Sequence, residues 1–126
     1  MSKLLQNLFY YQNLIKVFHW QTKSYAQHVA SDQLYTILQT LIDQWVEVYQ
    51  GKYNTLTFKD EKVNVPLRNM DFSDFKLHLQ QFKSFLMKDI PEHLGSDKEM
   101  KNTDLYNIRD EMLAITNKTL YLLKLE

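Results

Sequence analysis

A chain of 126 residues suffices for one domain with a sizeable core, and its 44% apolar and 24% charged content excludes disordered and collagen-like sequence. Fifteen Lys and Arg balance fifteen Asp and Glu, so the net basic field that holds a phosphate backbone is missing and DNA is not an expected partner. Two Gly and two Pro are too few for turn-rich sandwiches or barrels, which favours an all-α chain with few connections.

No run of eighteen apolar residues is available for a membrane span. Met1-Ser2-Lys3-Leu4-Leu5-Gln6-Asn7 has neither a sustained apolar stretch nor a small-residue cleavage site. The expectation is a cytoplasmic protein with no membrane partner. Cysteine is absent, which removes thiolate metal sites and Cys nucleophiles and leaves His and carboxylate as metal-binding side chains.

Leu4, Leu8, Tyr11, Ile15, Phe18 and Thr22 recur at alternating spacings of four and three, which predicts a first helix with one core-facing stripe. Leu5, Phe9, Tyr10, Leu14, Val17 and Trp20 fill the rest of its circumference. That is more apolar surface than one bundle face covers, so this helix should also pack on another subunit. Ser24-Tyr25-Ala26-Gln27 has the form of a capping box, which starts a second helix near residue 25. It should run to about Tyr49 with Gly51 as its stop, and with Leu34, Leu38, Leu41, Trp45 and Val48 inward. Residues 53–70, which include Pro66, lack helical periodicity. So long a connection needs a reason. Extended, it reaches up to about 60 Å, against roughly 36 Å for a helix of about 24 residues. It can therefore return along a bundle and start a helix parallel to the one just left, the single long crossover of a ferritin-like four-helix bundle. The third helix should run from Asp71 or Phe72 to Met87 or Lys88, with Phe72, Phe75, Leu79, Phe82 and Leu86 inward, before Pro91 and Gly95 break it. Leu105, Ile108, Met112, Ile115, Thr119 and Leu122 mark the fourth, behind the capping candidates Asn102 and Thr103.

The second helix carries His28, Asp32, Asp43 and Glu47, two i,i+4 pairs that fall within a sector of roughly 100° opposite its leucine stripe. Asp32 and Asp43 lie about 16 Å apart along the axis, so no metal takes ligands from both within one helix. The pairs His28/Glu47 and Asp32/Asp43 nevertheless share one midpoint, between residues 37 and 38. A two-fold axis there would bring His28 and Asp32 of one subunit against Asp43 and Glu47 of an antiparallel partner, giving two equivalent intersubunit sites. Nitrogen and oxygen donors suit Fe, Mn or Zn. Taken alone, the same four side chains also read as a solvated helix face.

Phe18-His19-Trp20, then His28-Val29-Ala30-Ser31-Asp32-Gln33-Leu34-Tyr35, then Ile42-Asp43-Gln44-Trp45-Val46-Glu47 together resemble the signature of the Dps proteins, the mini-ferritins. That signature is a His-Trp pair, H-x3-D, and D-x3-E further on. Asn102-Thr103-Asp104-Leu105 and Tyr121-Leu122-Leu123 are similar to the opening and close of the family's last helix. The resemblance implies a ferroxidase with a di-iron centre between two subunits. His19, His28 and Asp32 would come from one chain and Asp43 and Glu47 from its two-fold mate, with Trp20 beside the iron. It implies a cage-like homo-oligomer that oxidises Fe(II) with peroxide or dioxygen and stores the product. The stretch between His19 and His28 is shorter than the family's and lacks its Gly, which puts the His19 ligand in question. The Lys-rich tail with which some members hold DNA is also missing, Lys3 being the sole basic residue before Lys16. The alternative is a non-enzymatic Dps-like assembly or accessory protein, a small viral version included, whose interface site is empty or holds structural zinc.

Elsewhere, no Glu is followed by His at E-x-x-H spacing, which disfavours a centre inside the bundle. Asp74 and His78 are expected to pair on the surface, His93 to lie in a loop, and Asp110-Glu111 to belong to a solvated face or to line an iron entry pore.

Overall fold

A computed structural model describes residues 1–95, 97 and 99–125. It contains four helices, α1 (Ser2–Gln21), α2 (Tyr25–Lys52), α3 (Phe72–Leu94) and α4 (Thr103–Leu122), with no strand among the described residues. In α1 the stripe residues Leu4, Leu8, Ile15 and Phe18 are buried, and so are Leu5 and Leu14 from the set expected to face outward. A helix gripped by two neighbours buries a wider sector than one stripe. Phe9 and Trp20 stay 52% and 69% exposed.

The start of α2 is fixed by Ser24, whose Oγ accepts the Gln27 amide at 3.2 Å. The reciprocal half of the box is taken over by Thr22, which accepts the Ser24 amide through Oγ1 and donates to Gln27 Oε1. Gly51 does not end the helix. It lies in the last turn, and the Tyr53 amide closes that turn on the Tyr49 carbonyl at 2.9 Å. Without positive φ at Gly51 nothing there forces a stop.

Asp71 and Asp74 form the capping box that opens α3. The helix does not break at Pro91 but runs through it to Leu94. The ring removes one amide donor, and the next turn is recovered by the Gly95 amide bonding the Pro91 carbonyl at 2.8 Å. Gly95, at φ +81°, then ends it in a conformation that suits glycine. Asn102 stands at the N-cap of α4 without capping it; its side-chain oxygen instead accepts the Tyr53 hydroxyl.

α1 packs on α2 and α3, and α4 packs on the same two helices, while the two diagonal pairs do not approach. Phe18 stacks on Phe75 at 3.9 Å and Tyr11 meets Phe82 at 5.0 Å, so the end of α1 faces the start of α3 and the two run antiparallel. The Trp45 indole donates to the Leu105 carbonyl at 3.1 Å, placing the end of α2 against the start of α4. Residues 54–71 therefore return along the bundle between α2 and α3. Their far end is pinned by Gln21, whose amide donates to Asn69 Oδ1 at 2.9 Å and accepts the Met70 amide at 2.8 Å. The core between the helices contains Leu8, Leu34, Trp45, Phe75, Phe82 and Met112, all without solvent access; each such side chain contributes about 1.5–3 kcal/mol through burial.

Candidate metal half-site

Only Thr22, Lys23 and Ser24 separate α1 from α2, so the last turn of one helix lies beside the first turn of the other. The His19 and His28 rings stack there at 3.8 Å, inclined by 20°. Each ring bonds the other's backbone: His19 Nδ1 lies 2.9 Å from the His28 carbonyl, and His28 Nδ1 lies 2.9 Å from the His19 carbonyl. A carbonyl only accepts, so both Nδ1 atoms carry hydrogen and donate. In the neutral rings both Nε2 atoms then present lone pairs, the tautomer a metal ligand needs, fixed by its second hydrogen bond. Fully buried Ser31 supports the pair, donating to the His28 carbonyl at 3.1 Å and lying 3.3 Å from His19 Nδ1.

His19 Nε2 is 3.9 Å from Asp32 Oδ1. Two donors that each sit about 2.1 Å from one ion lie at most roughly 4 Å apart, so this separation is at the upper limit for sharing one. The short turn thus keeps His19 with His28 and Asp32. Beside them, the Lys16 ammonium lies over the rings of Tyr35 at 4.6 Å and Trp20 at 5.8 Å.

Asp43 and Glu47 are not brought to this group. Both are exposed further along α2, and none of the ion pairs among the described residues involves them. Nor does any set of three or more His, Asp or Glu side chains among the described residues converge closely enough to hold a metal. Of the five expected ligands, His19 lies against the His28 ring and 3.9 Å from Asp32 at one end of α2, while Asp43 and Glu47 stand apart further along it. Next to Asp43 a groove of about 710 Å³ opens between α1, α2 and the crossover, lined by Leu5, Phe9, Ile42, Val46 and Phe58.

Asp74 and His78 do not pair: Asp74 is occupied by the α3 cap, and His78 Nδ1 lies 3.2 Å from Gln81 Oε1. His93 is not in a loop but in the last turn of α3, with Nε2 3.0 Å from the Tyr49 hydroxyl. Asp110 and Glu111 are exposed, and Asp110 pairs with neighbouring Arg109 at 2.8 Å. Ser31 and the Tyr49–His93 contact went unread in the sequence. The signal for Ser31 was its place one turn after His28, on the side facing α1.

Residues 19–123 match the model of a family described as a family of unknown function (DUF5856). No curated protein and no solved structure matches the chain.

Proposed function

The chain belongs to a family of unknown function, DUF5856, and because that membership carries no activity, we propose from its own side chains that it is a ferritin-like, Dps-like protein that binds and oxidises Fe(II) between two copies. The observation that supports this most is the reciprocal His19–His28 lock, which leaves both Nε2 lone pairs free, that of His19 lying 3.9 Å from the Asp32 carboxylate. A packed core does not require that arrangement. It prepares two neutral nitrogens without fixing what they bind.

Fe(II) is the substrate in this reading. His19, His28 and Asp32 of one copy supply one half of each site, and Asp43 and Glu47 of an antiparallel copy supply the other, the shared midpoint of the pairs making the arrangement two-fold. The Nδ1–H bonds hold the imidazoles in the binding tautomer, and the carboxylates, as anionic oxygen donors, favour the more highly charged Fe(III) product. Peroxide or dioxygen takes the electrons. Further copies would close a cage in which the product is stored, in a cytoplasmic setting. Mn and Zn share the same donor preference.

The test combines the mass of the assembly with initial rates of Fe(II) oxidation by peroxide. Glu47→Ala should leave the assembly intact and lower the rate at least about tenfold, as loss of a ligand does. A monomer at micromolar concentration, or wild-type rates in Glu47→Ala, rejects the proposal. A second reading, an assembly protein with an empty or zinc-filled interface, is favoured by the apolar surface left on α1 at Phe9 and Trp20. It predicts a stable oligomer whose Fe(II) oxidation matches the buffer blank.

A further inference from the structure

Three aromatic side chains follow one another at i, i+4 and i+8, two on the second half of α2 and the third capping its end. Trp45 is fully buried and stacks on Tyr49 at 5.5 Å and 17°; Tyr49 lies 4.9 Å from Tyr53, which is 45% exposed. The column starts between Asp43 and Glu47 in sequence, on the inner side of the turns that carry those carboxylates outward, and ends at the surface. Its members differ in what they can do with a proton. The Trp45 indole N–H faces the Leu105 carbonyl, which accepts a hydrogen bond but is too weak a base to keep a proton. The Tyr49 hydroxyl faces His93 Nε2 at 3.0 Å, a base strong enough to take one.

We propose that Trp45, Tyr49 and Tyr53 conduct oxidising equivalents from the outer face of α2 to the surface, with Tyr49 as the residue where the electron deficit settles because His93 accepts its proton. The source of the oxidant rests on the function proposed above. Beside the oxidation proposed there, an Fe(II) ion that gives a single electron to peroxide becomes Fe(III) and yields hydroxide and hydroxyl radical. Hydroxyl radical at the outer face of α2 draws one electron across the helix from buried Trp45 and becomes hydroxide; the Trp45 cation keeps its proton and takes one electron from Tyr49. As Tyr49 loses that electron, its hydroxyl proton moves to His93 Nε2, leaving a neutral phenoxyl radical and an imidazolium. The imidazolium returns the proton to water, where hydroxide from the reduced radical consumes it. The net change is one hydroxyl radical and one tyrosine converted to one water and one phenoxyl radical. A one-electron reductant such as a thiol resets the system through Tyr53.

The starting state of the proton acceptor fits this direction. Burial, then the N-terminal ammonium, holds His93 below the usual imidazole value, so it begins neutral.

The path is tested on full-length protein in two arms, with radicals captured by a nitroso spin trap and located by mass spectrometry. In the first, metal-free protein meets photogenerated tris(bipyridine)ruthenium(III), which attacks without regard to any iron site. Adducts should favour Tyr49 and Tyr53 by about tenfold over Tyr25 and Tyr121, the weight of one charge-assisted hydrogen bond, although those two are 81% and 58% exposed. Tyr49→Phe should move the adducts to the exposed tyrosines. His93→Gln, which keeps a polar group but removes the base, should lower the Tyr49 yield by a similar factor. Adducts that simply follow exposure overturn the proposal, as does a Tyr49 yield untouched in His93→Gln. The second arm uses Fe(II) and peroxide. Adducts centred on Tyr49 in the first arm but following exposure in the second uphold the path and reject the iron reading that supplies its oxidant.

Discussion

Replacing His19 and His28 singly and together by Ala measures whether the two rings act as one unit. His19 is 8% exposed, so its removal leaves a partly closed cavity costing about 2 kcal/mol and one lost hydrogen bond costing about 1 kcal/mol. The His28 carbonyl is not orphaned, because Ser31 still donates to it at 3.1 Å, and no further penalty accrues. The exposed His28 ring contributes mainly its bond to the His19 carbonyl at the end of α1, about 1 kcal/mol. Once either ring is gone the reciprocal bond has lost its stacked support, so the double variant should cost about 3 kcal/mol, roughly 1 kcal/mol less than the single costs combined. Urea unfolding followed by circular dichroism at pH 8 and constant protein concentration gives all four values, the concentration being held because association adds to apparent stability. Strictly additive costs, or His28→Ala as damaging as His19→Ala, would refute the lock.

Pro91→Ala supplies the amide that α3 lacks one turn before its end and should stabilise the protein by about 1–2 kcal/mol, below the full interior proline penalty because Leu94 is the last helical residue; an unchanged urea midpoint would show that the turn has already absorbed the loss. On acidification, His93 contributes instability of defined sign. Its folded pKa lies below the ordinary value of 6.5 because burial, then the N-terminal ammonium, disfavours the charged ring, so the unfolded chain binds protons first. Stability should fall as pH drops through 6.5 and level off below the folded pKa. Thermal melts of His93→Gln should lack that component, and an identical pH slope in both proteins would contradict the assignment.

Four helices with correct faces were readable because apolar spacing reports burial directly: Leu34, Leu38, Trp45, Phe75, Phe82 and Met112 all lie where their periodicity puts them. The errors concern punctuation. Gly51 and Pro91 read as stops, yet a glycine in a final turn costs only about 1 kcal/mol, which packing of α2 offsets, and a proline near a helix end forfeits a single bond. Asp74 read as a partner for His78 because they lie four apart, but an N3 carboxylate finds a stronger bond at the cap. That His28 and Asp32 stand one turn apart on α2 was legible from spacing. The His19–His28 lock was not, since it depends on the backbone of Thr22–Ser24 and on backbone carbonyls at two adjoining helix ends, neither of which has a side-chain signature. The contact between Tyr49 and His93 spans 44 positions and followed only once α3 was seen to continue past Pro91.

The two hydrogen bonds of Gln21, to Asn69 and from Met70, anchor the crossover to the same terminal turn of α1 that bears His19. Slack in that long strap cannot collect near its downstream end without tugging on the histidines, so it is displaced upstream to the exposed stretch holding Phe58, Val63 and Val65. Insertions, deletions or grafted peptides are accordingly best carried between residues 57 and 65, where the chain can lengthen or shorten while the imidazoles keep their alignment.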